Sequence, residues 1–312
     1  MKGLELAREY FDEYGHPLIE NELEEYKEYI AAGLVGEGSE CLGFDNDISH
    51  DHDFGPGFCI WVPDEIYRTS GSRMQAAYDK LPAGYKGYVR IQSAMGGGRT
   101  GVLPLETFYR RFTGLTHAPE DAMEWFRIPE SFLATVTNGE VFTDNYGEFT
   151  RIRSVLKSFY PDDVLKKKLA ARCAVIAQSG QYNYPRCMKR GDSQAAYLAC
   201  SEFVKKAMSA VYLLNGSYMP YYKWMFRGAE GFDILSDAVT MLRGITLIPD
   251  TPENGSRKTD IIENISICIG RELNRRGFTH TGEAFLQAHG DQLMESICDE
   301  RLRSLHIMVD FE

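Results

Sequence analysis

The stretch that most constrains the fold of this chain runs from residue 36 to residue 54 and reads GEGSECLGFDNDISHDHDF. Two small residues, Gly38 and Ser39, are followed after eleven intervening residues by Asp51 and Asp53, which flank a single histidine. Apolar residues stand directly before and shortly after the stretch. The pattern predicts a strand, a tight small-residue turn, a loop, and a second strand that begins at the two aspartates.

The two aspartates form a candidate cation site. Residues two apart on a strand point to the same face, so Asp51 and Asp53 are expected to converge on one point. Mg²⁺ typically takes one or two carboxylates from the protein and its other oxygens from phosphate and water. The sequence therefore predicts Asp51 and Asp53 as ligands of Mg²⁺ or Mn²⁺.

Three other interpretations of the acidic stretch compete with this one. The alternating carboxylates between Asp45 and Asp53 resemble an EF-hand calcium loop, but that loop requires glycine at its sixth position and glutamate at its twelfth, where this chain has His50 and Pro56. His50 and Asp51 also spell the metal-binding dipeptide of HD phosphohydrolases, which need further histidines on helices. The third interpretation is a solvated acidic loop without a ligand.

Composition excludes several classes of protein. A net charge of −11 disfavours a long nucleic acid as partner, since such a partner needs a basic face. No apolar run approaches the roughly 20 residues of a membrane helix, and Met1 leads into a charged segment without a signal-peptide core. The seven cysteines are scattered without a CxxC pair, which is typical of reduced thiols in the cytoplasm.

The pattern of secondary structure predicts two domains, at residues 1–155 and 156–312. The first mixes helices and strands, with Pro17 separating two early helices and a glycine-rich tip joining strands 85–93 and 100–105 into a hairpin. A helix over residues 106–114 is expected to end on its glycine. Strand signals vanish after residue 163, and long helical periods follow.

Two basic clusters in the second half are further candidate sites. Arg186 and Arg190 lie beside two tyrosines, and Lys223 lies in a run of aromatic residues. Cations beside aromatic rings suit contacts to phosphate or to a nucleobase. A solvated positive helix end is the competing interpretation.

Several stretches resemble a known group of proteins. Gly38-Ser39 followed by Asp51-x-Asp53 is similar to the signature of the polymerase-β-type nucleotidyltransferase superfamily. Nearly the full chain resembles a bacterial family within it, labelled domain of unknown function 4037. The stretches that carry this second resemblance are SHDHDFGPGF (49–58), GEVFTDNYGEFTRIR (139–153), GQYNYPRCMKRGD (180–192) and LLNGSYMPYYKW (213–224).

The resemblance implies an α+β fold, a nucleotidyltransferase-like mixed sheet flanked by helices, followed by an all-helical C-terminal domain. It implies an enzyme that transfers a nucleoside monophosphate from a nucleoside triphosphate to a hydroxyl of a small molecule or protein and releases pyrophosphate. Gly38 and Ser39 would hold the triphosphate, and Asp51 and Asp53 would hold Mg²⁺. The net negative charge and the two-domain organisation favour a small molecule as the acceptor.

The same resemblance implies a third carboxylate on a later strand, as metal ligand or general base. Residues 101–105 have none in the strand interior, so Glu106 at its end is the first choice and Asp144 the second. Related two-domain enzymes send basic residues of the helical domain to the triphosphate, a role that would fall to Arg186, Arg190 and Lys223. Because the expected carboxylate is missing from the interior of this strand, the alternative is a catalytically weakened nucleotide-binding or sensor protein of the same fold.

Overall fold

The structure is a computed structural model that describes residues 1–50, 54–91 and 98–311, with only the backbone of His50. Contacts divide the chain into two compact units. The first comprises Met1–Pro119 and Phe132–Ser158, and the second comprises Glu120–Ser131 and Phe159–Glu312. The sequence placed a boundary after residue 155, and it did not anticipate that a segment before that boundary, Glu120–Ser131, groups with the helical unit.

Six strands and fourteen α-helices are described in the two units. The strands are β1 (Ala31–Leu34), β2 (Cys59–Val62), β3 (Gly84–Tyr85), β4 (Tyr88–Val89), β5 (Gly101–Pro104) and β6 (Glu140–Asp144). The α-helices are α1 (Gly3–Tyr10), α2 (Asp64–Tyr78), α3 (Leu105–Thr113), α4 (Ala122–Arg127), α5 (Glu130–Thr137), α6 (Glu148–Lys157), α7 (Asp162–Ile176), α8 (Tyr184–Lys189), α9 (Ser193–Leu214), α10 (Met225–Gly228), α11 (Ser236–Ile245), α12 (Gly255–Arg275), α13 (Gln287–Glu295) and α14 (Glu300–Arg303).

The first unit is built on a mixed four-stranded sheet in the order β5-β2-β1-β6. Strand β1 is antiparallel to both of its neighbours, whereas β2 and β5 are parallel. The end of β1 therefore lies beside the starts of β2, β5 and β6. Helices accompany this sheet in the first unit, and the regular elements described in the second unit are helical, which confirms the α+β class and the helical C-terminal region.

The two central strands are buried along their whole length. All four residues of β1 and all four of β2 are buried, so these strands appear in the sequence as continuous apolar runs without alternation. Trp61 stacks on Phe149 with ring centroids 4.1 Å apart. Gly33 allows β6 to approach closely, because a Cβ there would lie 2.4 Å from the carbonyl oxygen of Glu140.

Two predictions about strands are wrong. Residues 54–58 are not part of a strand, and β2 begins only at Cys59. Strand β5 does not form a hairpin with the residues before the glycine-rich segment; it pairs in parallel with β2, in the register Cys59 to Gly101. Instead, β3 and β4 form a short antiparallel hairpin, in which each strand has two residues. Parallel strands are joined by a long connection, so no local sequence pattern predicts which two strands will pair.

Pro17 does not separate two helices. It lies in helical conformation, with φ −59° and ψ −35°, between π-helical turns at Phe11–Gly15 and Leu18–Glu22. A proline lacks the N–H group that an α-helix interior uses. The π turns on both sides already interrupt the ordinary hydrogen-bond ladder, so the chain stays helical through the proline.

The second unit consists of helices packed around α7 and α9. Most residues of α7 are buried, including Lys167, Lys168 and Arg172. Residues 177–183 continue α7 as a π-helical turn before α8 begins. Across the described part of the chain, no helix is both long enough and apolar enough to cross a membrane.

Candidate functional site

The Gly-Ser turn and the chain that follows the two aspartates meet at one edge of the sheet, where β1 ends and β2 and β5 begin. We call residues 35–40, 54–58 and 98–100 the motif edge. Glu37, Glu40 and Phe54 line one small cavity there, together with Arg99. Phe54 directly follows Asp53 in the chain. The predicted metal ligands Asp51 and Asp53 themselves lie outside the described residues.

The Gly-Ser pair forms the tight turn that the sequence predicts. Gly36 and Gly38 have φ angles of +130° and +133°, a region that residues with a side chain rarely adopt. A Cβ on Gly38 would also lie 2.2 Å from Nη2 of Arg99. The carbonyl oxygen of Ser39 accepts hydrogen bonds from the backbone N–H groups of residues 42 and 44, at 3.2 and 2.9 Å. The turn thus depends on glycine at both positions.

Asn138 holds the backbone that leads into this turn. The N–H of Gly36 donates to Oδ1 of Asn138 at 3.0 Å, and Nδ2 of Asn138 donates to the carbonyl of Gly36 at 2.8 Å. Gly139 follows and donates its N–H to the carbonyl of Cys41 at 2.7 Å. Sequence reasoning missed this support, although an Asn-Gly pair is a recognised turn signal.

Arg153 fixes the segment that carries Asn138. Its buried guanidinium donates to the carbonyl oxygens of Val136, Asn138 and Gly139, at 2.8, 2.6 and 3.1 Å. Burial lowers the pKa of Arg153, and nearby Tyr109 opposes that shift. A buried cation bonded to three carbonyls sets the path of the chain between α5 and β6.

Arg99 and Glu40 form an ion pair beside the Gly-Ser turn. Nη2 of Arg99 donates to the carbonyl of Glu37 at 2.7 Å and to Oε1 of Glu40 at 3.0 Å. Burial raises the pKa of Glu40, while its own backbone N–H and Arg99 oppose the rise. Neither residue was predicted, yet Glu40 directly follows Ser39, and Arg99 directly follows the glycine run.

Glu106, predicted as the third carboxylate, caps a helix at the opposite edge of the sheet. Its Oε2 accepts the N–H of Asp64 at 2.7 Å, at the start of α2. The Asp64 carboxylate in turn accepts the N–H and the hydroxyl of Thr107, at 3.1 and 2.7 Å, at the start of α3. Strand β2 separates this pair from the motif edge by roughly 10 Å, at about 3.3 Å per residue.

Asp144, the second choice, also lies at that opposite edge. It pairs with Ala31 at the start of β1. Its two carboxylate oxygens accept the N–H groups of Gly147 and Thr150, both at 2.7 Å, where α6 begins. The described contacts of Glu106 and Asp144 are those of helix caps, and their part in catalysis stays a prediction.

The three predicted basic residues are exposed side chains of the second unit. Arg186 belongs to α8, Arg190 follows it, and Lys223 precedes α10. The guanidinium of Arg186 lies 4.7 Å from the ring centroid of Tyr182, and the ammonium of Lys223 lies 5.1 Å from that of Trp224. The structure thus brings Arg186 and Lys223 each to an aromatic ring.

Hard oxygen ligands on two neighbouring aspartates would suit Mg²⁺. Within residues 1–50, 54–91 and 98–311, no group of three or more histidines, cysteines, aspartates or glutamates is placed to hold a metal ion. The predicted ligands Asp51 and Asp53 fall in the gap between the first two ranges. The metal prediction therefore rests on the sequence pattern.

Comparison with known proteins finds one family. Residues 125–225 match a family model described as domain of unknown function (DUF4037), which makes this segment similar to that family. Three of the four stretches that suggested the family lie in the matched segment, whereas Gly38, Ser39 and the two aspartates lie outside it. No curated protein and no solved structure matches the chain.

Proposed function

We propose that this protein is a Mg²⁺-dependent nucleotidyltransferase. It would transfer a nucleoside monophosphate from a nucleoside triphosphate to a hydroxyl group. The observation that carries the proposal is the arrangement at the motif edge. There the Gly38-Ser39 turn follows β1, which pairs with β2. Phe54, the residue after Asp53, lines the same cavity as Glu37 and Glu40. The turn and the chain that follows the two aspartates are thus neighbours.

In the proposed reaction, the acceptor oxygen attacks the α-phosphorus of the nucleotide in line with the leaving pyrophosphate. The new bond joins the acceptor oxygen to phosphorus, the bond to the bridging oxygen breaks, and the hydroxyl proton passes to a base. Mg²⁺ on Asp51 and Asp53 would neutralise charge on the phosphates. The backbone of Gly38 and Ser39 would contact the triphosphate, as small-residue turns do in anion-binding loops.

The acceptor is proposed to be a small molecule. The net charge of −11 opposes binding of a long nucleic acid. Arg186, Arg190 and Lys223 are exposed cations of the second unit, and their contact with a triphosphate stays a prediction from the resemblance. A cation packed on an aromatic ring, as Arg186 and Lys223 are, keeps a defined position for an anionic ligand.

The test is pyrophosphate release from each of the four nucleoside triphosphates with Mg²⁺ and a metabolite extract. Asp51→Ala and Asp53→Ala are expected to lower the rate about a hundredfold or more, since each removes a ligand that stabilises the transition state. Asp47→Ala is the matched control, because Asp47 is an exposed aspartate of the same stretch. Nucleotide binding without pyrophosphate release, for all four nucleotides, would contradict the proposal.

A nucleotide sensor of the same fold is the second candidate. The positions of Glu106 and Asp144 favour this candidate. Either was predicted to supply the third carboxylate of the site, but both cap helices at the edge opposite the Gly-Ser turn. A sensor would bind a nucleoside triphosphate with Mg²⁺, lose that binding in Asp51→Ala, and release no pyrophosphate. Equilibrium binding and turnover measured on the same preparation separate the two candidates.

A further inference from the structure

A cavity of about 620 Å³ lies within the second unit, and its lining includes no residue of the motif edge. Tyr197, Cys200, Ser201 and Val204 of α9 recur at helical spacing and form one of its walls. Tyr222, Met225 and Phe226, residues 246–250, and Lys258 in the first turn of α12 complete the lining. The volume falls in the range of roughly 300 to 1,000 Å³ that is usual for small-molecule sites.

The mouth of this cavity exposes apolar and aromatic surface. Tyr197, Tyr222 and Leu247 all line it, and 62%, 64% and 84% of their surface is exposed. Phe226 and Met225 add further apolar surface to the lining. Clustered exposed apolar side chains around a concavity are typical of a binding site. Flat aromatic walls favour a planar ligand, whose ring faces pack against them.

The inner end of the cavity carries a buried ion pair. Nζ of Lys258 lies 2.6 Å from Oδ1 of Asp250 and donates to the carbonyl of Ile248 at 3.1 Å. The two charged side chains are only 2% and 9% exposed. Burying such a pair costs desolvation free energy, which a well-packed apolar pair would avoid. The pair places a hydrogen-bond donor and an acceptor side by side at the end of an apolar cavity.

Two weaker neighbours face the rest of the Lys258 ammonium: the Cys200 thiol, and the ring of Tyr184, whose centroid lies 5.5 Å from Nζ. Two of the three N–H groups of this ammonium are donated to Ile248 and Asp250. The Cys200 thiol lies beside it: burial raises the pKa of this thiol, and Lys258 opposes the rise. A thiol is a weak acceptor, so a ligand carbonyl would be the stronger partner.

We propose that this cavity binds a planar heterocycle with a lactam edge, in which a ring N–H stands next to a carbonyl. The N–H would donate to the carboxylate of Asp250, and the carbonyl would accept from the ammonium of Lys258. The rings would pack between the aromatic side chains at the mouth. This inference does not depend on the proposed transferase activity, because none of its residues belongs to the motif edge.

The ligand-side test uses calorimetric titration of the full-length protein with inosine and uridine, which carry a lactam edge and no phosphate. The matched ligands 1-methylinosine and 3-methyluridine replace the ring N–H by N-methyl and keep the rest. They are expected to bind about tenfold more weakly or worse, because the buried carboxylate loses its donor. Equal affinity for methylated and unmethylated ligands, or no binding of either nucleoside at millimolar concentration, would overturn the proposal.

The protein-side test fills the cavity. Val204→Trp is expected to abolish nucleoside binding, and Ser201→Trp, at an exposed position of the same wall, is a second variant that leaves the core intact. Leu198→Trp is the control, since Leu198 is on the same helix, 67% exposed and outside the lining. Asp51→Ala is expected to leave binding unchanged. Unchanged binding in Ser201→Trp, or loss of binding in Asp51→Ala, would place the nucleoside elsewhere and refute the inference.

Discussion

Asn138 is the side chain that fixes the entry to the Gly-Ser turn, because its amide bonds both backbone polar groups of Gly36. We expect Asn138→Ala to lower the free energy of unfolding by about 1 to 3 kcal/mol, since both groups lose their partner. Urea denaturation measures the change. Asn21→Ala is the control, because Asn21 is exposed and its amide bonds one carbonyl only. Equal losses in the two variants would contradict this role.

Substitutions of Glu106 distinguish a structural role of this side chain from a catalytic one. Because Glu106 caps α2, Glu106→Ala is expected to lower the free energy of unfolding by about 1 kcal/mol. The loss is expected to be smaller in Glu106→Gln, because the amide oxygen still accepts the N–H of Asp64. Pyrophosphate release per folded molecule is expected to stay within a few-fold of the wild type. Turnover abolished in Glu106→Gln at unchanged stability would instead establish the catalytic role predicted from the sequence.

At the scale of elements, α2 positions the chain that enters β2. The hydroxyl of Tyr78 donates to the carbonyl of Phe58 at 2.9 Å and accepts its N–H at 3.0 Å. Burial raises the pKa of Tyr78, so the hydroxyl keeps its proton. The helix thereby holds both backbone polar groups of the residue before β2, at the motif edge.

Tyr78→Phe is expected to destabilise the protein by about 1 to 3 kcal/mol, because the buried N–H of Phe58 loses its described partner, whereas the carbonyl of Phe58 keeps the N–H of Gly101. Tyr67→Phe on the same helix is the control, since Tyr67 is partly exposed. Chemical denaturation gives the difference between the two variants. If Tyr78→Phe matches Tyr67→Phe, the hydroxyl does not anchor the start of β2.

At the scale of the whole chain, a buried charged cluster ties the C-terminal segment of the second unit to its central helix. Arg172 and Lys168 of α7 both pair with Asp310, and Lys167 donates to the carbonyls of Ile307 and Val309, at 3.0 and 2.7 Å. Burial would raise the pKa of Asp310, but the two cations hold it below its ordinary value.

This cluster predicts an acid-dependent loss of stability. Since the pKa of Asp310 is lower in the folded protein than in the unfolded chain, its contribution is complete above about pH 4 and is lost as the pH falls. Asp310→Asn is expected to cost about 3 to 5 kcal/mol near pH 7, because the buried Lys168 loses its ion-pair partner and the buried Arg172 loses one of its two carboxylates and keeps Glu130. The difference from the wild type is expected to shrink below about pH 4.

The measurement is urea denaturation at a series of pH values, followed separately for each transition if the two units unfold independently. Asp260→Asn is the control, because Asp260 is an exposed aspartate of the same unit. A difference between Asp310→Asn and the wild type that stays constant from about pH 7 to about pH 3 would contradict the ion pair.

Local patterns in the sequence determined the features whose causes are local. The Gly38-Ser39 pair indicated a turn, and Gly38 adopts a φ angle that only glycine readily accepts; Gly114 ends α3 in the left-handed conformation for the same reason. Helical periodicity indicated a helical second half. Tertiary structure alone decided that β5 pairs with β2 and that Glu106 caps α2, because these contacts join residues 42 apart in the chain. The partners of a strand or a carboxylate depend on which distant segments pack beside it, and no periodicity along the chain records that choice.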